Sequence, residues 1–151
     1  MAVDPRAKGA RAETMVRDIL REHTGLVWER VPSSGALDAK HGLKGDLYVP
    51  NEKNLYAVEA KHYADDHLTS KLLTDKDPQV IKWWEQAVRQ GKQVDKLPLL
   101  IFKHDRSKTF VAFEDMPSGD YRFFFFNGLG YEFYVALLTD WLVNEQPKFI
   151  K

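Results

Sequence analysis

The sequence contains no cysteine. That excludes disulfide staples and thiolate metal sites, and makes a reducing cytoplasm the simplest setting. No stretch approaches the roughly eighteen consecutive apolar residues of a membrane-spanning helix. Met1 to Arg11 lack the apolar core of a signal peptide, and no Asn-x-Ser/Thr acceptor occurs. Net charge is absent as well, because 22 basic residues balance 22 acidic ones. Bulk charge therefore gives no support to nucleic-acid binding, yet does not exclude it, since affinity depends on a basic face and not on the total. Internal repeats and low-complexity segments are missing too.

What remains is a chain of 151 residues, 44% hydrophobic and 29% charged, sized for one domain with a substantial core. Ala12, Met15, Val16, Ile19 and Leu20 recur at helical spacing and predict a first helix over Ala7 to His23. Leu26 to Val31 reads as a short strand ended by Pro32. Ser33 to Gly45 has three glycines and no apolar rhythm, which predicts a long loop of the kind that often carries function. Asp46 to Val49 and Leu55 to Lys61 read as strands joined by the turn residues Pro50 to Asn54, hence an antiparallel hairpin. Asp77-Pro78 opens a helix to about Gln90, with Trp83, Trp84, Ala87 and Val88 as its apolar side and Gly91 as its stop. Leu97 to Lys103 and Thr109 to Phe113 are strands, as are Tyr121 to Phe126 and Tyr131 to Val135. A last helix runs from Ala136 to Asn144. This order predicts an α/β (α+β) fold, a central mixed β-sheet flanked by helices.

Glu59 and Lys61 lie two apart on a predicted strand and so leave the same face. Asp46 begins the partner strand, and a hairpin brings such positions to about 5 Å of each other. Two carboxylates and one ammonium are thus expected on one patch. Oxygen ligands select a hard cation, Mg²⁺ with Mn²⁺ as a substitute. Such a cation neutralises phosphate charge and activates a bound water. The plainer alternative makes Glu59 and Lys61 the wet face of a strand whose dry face is Tyr56, Val58 and Ala60. Asp38 competes with Asp46, but lies deeper in the loop. His41, His62 and His67 have no convincing ligand spacing and read as solvent-exposed. Trp83-Trp84 is read as base-stacking or as helix core, and Phe123 to Phe126 as a buried strand, part of which is a candidate dimer surface. Lys40, His41 and Lys44 flank the patch and suit phosphate contacts. Lys71, Lys76 and Lys82 either extend a basic track or only solubilise the surface.

Asp46 followed by Glu59-Ala60-Lys61 resembles the signature of PD-(D/E)XK nucleases, with Gly45 where the proline usually stands. Lys8-Gly9-Ala10-Arg11-Ala12-Glu13 and Val31-Pro32-Ser33-Ser34-Gly35-Ala36 resemble the opening and the loop of archaeal-type Holliday junction resolvases. These blocks cover about the first 60 residues, in the same order as in that group. The resemblance implies residues 1–151 as a single nuclease domain with a restriction-endonuclease-like core. It implies Glu13, Asp46, Glu59 and the Ala60 carbonyl as metal ligands. Lys61 would serve the attacking water or the phosphate, Ser34 the phosphate near the cut, and Lys8 and Arg11 the DNA backbone. It further implies a homodimer acting on four-way DNA junctions. A nickase, a repair or restriction-like nuclease, and a non-catalytic DNA-binding protein with a vestigial nuclease fold remain as alternatives.

Overall fold

The computed structural model describes residues 5–32 and 44–151, with backbone alone for 5–8. Helix α1 spans Pro5–Thr24. Strands β1 (Glu29–Arg30), β2 (Leu47–Tyr48) and β3 (Tyr56–Tyr63) follow, then the short helix α2 (Lys71–Thr74) and helix α3 (Gln79–Val94). Strands β4 (Leu97–His104), β5 (Phe110–Phe113), β6 (Phe123–Gly128) and β7 (Tyr131–Leu137) lead into α4 (Leu138–Glu145). Among the described residues the strands form one seven-stranded sheet in the order β1-β2-β3-β4-β5-β7-β6. β3 and β4 run parallel, and every other neighbouring pair is antiparallel.

Alternation along β4 divides the core in two. Leu99 and Ile101 join Val16 and Leu20 of α1, Trp141 of α4, and Val58 and Ala60 on one face. Leu100 and Phe102 join Val80, Ile81, Trp83 and Trp84 of α3 on the other. The sheet is therefore covered on both sides. This suits the parallel β3–α3–β4 unit, since a parallel pair needs a crossover that lies over a sheet face.

The mixed sheet with flanking helices is the architecture expected from the sequence. The β2–β3 hairpin forms as expected, with Leu47 opposite Val58. Its turn is organised by buried Asn54, whose side chain accepts from the Val49 N–H (2.7 Å) and donates to the Val49 carbonyl (2.9 Å). Two expectations need correction, on Gly91 and on Phe123 to Phe126, and the choice left open at Trp83-Trp84 falls to helix core. Gly91 does not stop α3, which continues to Val94 and ends on Asp95 at φ 55°. Gly91 is required for close approach instead, because a Cβ there would lie 2.5 Å from the Lys96 carbonyl oxygen. Trp83 and Trp84 are both buried, so neither is available to stack on a base. The Phe123 to Phe126 run is not a buried strand: β6 is an edge strand, and only Phe126 is covered. Helix α2, too short for an amphipathic rhythm, was not foreseen.

Candidate active site

The site grows from three local constraints. Val58 and Ala60 are buried on the α1 side, while Glu59 pairs in register with Leu100 and Lys61 with Phe102 on the α3 side. Because α1 and α3 cover both faces of β3, Glu59 is not on a wet face: it is 2% exposed, beside the apolar core. The plainer alternative of a half-wet strand fails here because the parallel partner and the crossover helix bury both sides. Gly45 supplies the second constraint. It sits at φ 92°, and a Cβ would lie 2.6 Å from the Val58 carbonyl oxygen. No residue locked near φ −65° fits that backbone, which explains why glycine replaces the resembled proline. The third constraint is the Asp46 backbone, which donates to the Val58 carbonyl (2.6 Å) and accepts from the Val31 N–H (2.9 Å). The Asp46 carboxylate is thereby aimed along β3, where Oδ2 accepts from the Ala60 N–H at 2.7 Å.

Glu13 of α1, Asp46, Ala60 and Lys61 line one cavity of ~250 Å³, together with Gly9, His62 and Tyr63. Lys61 Nζ lies 3.9 Å from Glu59 Oε2. Burial, followed by the Asp46 charge, pushes the Glu59 carboxyl up to about 9, with Lys61 pulling the other way. Burial and then Asp46 also raise the Glu13 carboxyl, while Arg30 opposes the rise. Three carboxylates thus share a region in which, among the described residues, Lys61 lowers the Glu59 carboxyl and Arg30 the Glu13 carboxyl without cancelling the rise. Low polarity and like charges both disfavour the ionised forms.

That electrostatic conflict fits a divalent cation. Ionised oxygen ligands and a backbone carbonyl are the donors a hard cation takes, and Mg²⁺ keeps several waters while using one or two carboxylates. Among the described residues no three His, Asp or Glu side chains form a ready-made metal cage.

The remaining expected residues are distributed unevenly. Arg11 is exposed on α1 and Lys44 is half-buried just before Gly45. The Lys8 side chain, and Ser34, Asp38, Lys40 and His41, lie outside the described residues. The histidines are not simply solvated. His62 bonds to Asp105 at 2.9 Å, and His67 packs edge-on against Tyr63 and Trp83. Lys71 is exposed on α2, and Lys82 lies 3.4 Å from Asp77.

Sequence reasoning missed Arg30, whose Nε donates to Glu13 Oε2 at 2.7 Å. It stands on β1, placed in turn by Arg21 of α1, which bonds to the Trp28 carbonyl (2.8 Å) and to Glu29 (2.6 Å). No spacing rule links residues 13 and 30, since helix and strand meet only in the folded sheet.

Comparison with known proteins gives the chain a family. Residues 4–121 match the family model described as "Phage putative PDDEXK endonuclease". The chain is also similar to "Protein D14" of Escherichia phage T5. The two are 50% identical over 117 residues, which is 76% of this chain and 73% of the relative.

Proposed function

The chain belongs to the PDDEXK endonuclease family, and from that premise we propose that it is a Mg²⁺-dependent DNA endonuclease acting on branched DNA, four-way junctions first. The observation that carries the metal-dependent chemistry is the convergence of Asp46 and Glu59 beside Lys61, with Glu59 buried and held largely protonated while metal-free.

Asp46, Glu59 and the Ala60 carbonyl are the residues that would hold the cation, with Glu13 direct or through water. When bound, the cation supplies charge neutralisation at the scissile phosphate and an acidified water. The chain's own groups do the rest. Lys61, beside Glu59, offers an ammonium to the attacking water or to a non-bridging phosphate oxygen. Arg30 fixes the Glu13 carboxylate through a charge-assisted bond. The Ala60 N–H holds Asp46 in one rotamer, so the ligand does not have to be ordered during binding. Lys8, Arg11, Lys40 and Lys44 are proposed to grip the backbone, and Ser34 the phosphate near the cut.

The junction reading is supported by the resolvase-like blocks at Lys8–Glu13 and Val31–Ala36, and by a sequence in which no recognition-helix motif stands out. A junction presents two symmetry-related strands, which a C2 homodimer meets with two equivalent sites. The phage source of the relative suits action on DNA in a host cytoplasm. A cleavage panel with Mg²⁺ tests the proposal, comparing a mobile four-way junction with linear duplex, flap and single strand. The junction is expected to be cut preferentially, with no cutting in chelator. Equal cutting of linear duplex removes the junction reading and leaves the endonuclease. No cutting of any substrate at high enzyme concentration favours the non-catalytic alternative.

A further inference from the structure

The two edges of the sheet are built in opposite ways. The β1 edge is two residues long, and both, Glu29 and Arg30, are charged and exposed. The β6 edge is six residues long, Phe123–Gly128, with no Lys, Pro or bulge; its register against β7 is uninterrupted from Phe123↔Ala136 to Gly128↔Tyr131. Natural sheets guard exposed edges with short strands, charges, prolines or bulges. β6 has none of these. Instead Phe123, Phe124 and Phe125 are exposed by 45%, 43% and 46%. Phe123 and Phe125 lie against Tyr134 on the α4 side. Phe124 shares the α3 side with Phe126, so both sheet faces are apolar at this edge.

We propose that β6 is the homodimer interface: two copies pair their β6 strands antiparallel about a two-fold axis at Phe124, extending the sheet across both subunits. This gives a surface to the dimer proposed above and rests on that reading. The sequence is self-complementary in this register. Phe124 faces its own copy, and Phe123 of each copy faces Phe125 of the other, so each exposed ring gains an aromatic cross-strand partner. Arg122 is the one charged residue between Tyr121 and Gly128, and it falls opposite Phe126 of the other copy. Parallel in-register addition would instead set Arg122 against Arg122. The exposed halves of three phenylalanines, with the flanking side chains and edge backbone, amount to about 900 Å² over both copies, below the roughly 1,200 Å² of a stable interface and in the range of weak, exchanging ones. The interface is therefore reversible. It is also closed, because pairing around a two-fold consumes the edge.

Sedimentation of the full chain across micromolar concentrations tests this. The parent is expected to sediment as a dimer, and Phe124→Lys as a monomer with unchanged far-UV circular dichroism. Because the chain has no cysteine, a single introduced thiol gives a second readout that does not depend on tolerating a lysine. The Cα separation of directly opposed antiparallel residues, about 4.5–5.5 Å, suits a disulfide. Phe124→Cys is expected to cross-link to a dimer under diamide much faster than Val143→Cys, placed at an exposed residue of α4. A monomeric parent, or equal cross-linking at the two positions, overturns the interface. The dimer and the nuclease fail separately. A β6 dimer that cuts no DNA sinks the nuclease reading alone, and a monomer that cuts junctions sinks the dimer alone.

Discussion

Glu59 is the residue on which the site's chemistry turns. Its carboxyl is pushed up to about 9 by burial and by Asp46, whereas in an unfolded chain it ionises near the ordinary carboxylate value. The folded state thus binds the extra proton. Its contribution to the metal-free fold is full at low pH, and drains as pH rises from the ordinary carboxylate range through about 9. Glu59→Gln has no proton to lose. Its urea midpoint without metal should match the parent near about pH 5 and exceed it near about pH 8. A lower midpoint at the alkaline end would mean that the carboxylate is not under strain. The same variant should cut DNA slower by about a thousandfold or more, since it removes a proposed ligand of the cation that would neutralise the scissile phosphate. Gly45 carries the backbone side of the site. Gly45→Ala sets a Cβ 2.6 Å from the Val58 carbonyl oxygen at a positive φ. It should lose about 2 kcal/mol or more by chemical denaturation and lose cleavage with it. Unchanged stability would show that the Asp46 turn relaxes freely.

At the level of elements, α3 shows what sequence patterning reveals and what it hides. Trp83, Trp84, Ala87 and Val88 marked the helix correctly, because a 3.6-residue period survives any tertiary context. The end was misplaced because Gly91 has two physical explanations in a sequence, a left-handed cap or a close approach, and only packing against the Lys96 backbone decides between them. Two substitutions should separate these. Gly91→Ala is expected to destabilise by about 2 kcal/mol, whereas Asp95→Gly, at the residue that does adopt φ 55°, should stabilise by about 0.5 kcal/mol. The reverse ordering in urea titrations would restore Gly91 as the cap. Strand β3 teaches the same lesson for the site. The spacing of Glu59 and Lys61 fixes a shared face, and the turn residues fix the hairpin to Asp46, so the convergence was legible. The burial of Glu59 was not, because it depends on β4 arriving in parallel through α3, a pairing with no local signal. Arg30 was hidden for the same reason, since its bond to Glu13 spans α1 and β1.

For the whole molecule, layering decides where each feature ends up. Helices on both faces bury the parallel centre of the sheet and Glu59 within it, leave Glu13, Asp46 and Lys61 lining a cavity at the edge of β3, and expose one long aromatic edge four strands away from β3. The aromatic run at Phe123 to Phe126 was legible as a strand, but its place at the edge was not. Strand order is set by which partner β7 takes on its other side, and it takes β5. The account as a whole stands on the acidic groups around Asp46 sharing one cation. The direct measurement is calorimetric titration of Mn²⁺ into the protein at about pH 7.5, repeated in buffers of different ionisation enthalpy so that protons are counted. The prediction is binding with release of about one proton per site as Glu59 ionises. Asp46→Asn should abolish binding, and Glu59→Gln should abolish the proton release. Binding with no proton released, or undiminished binding in Asp46→Asn, would contradict it.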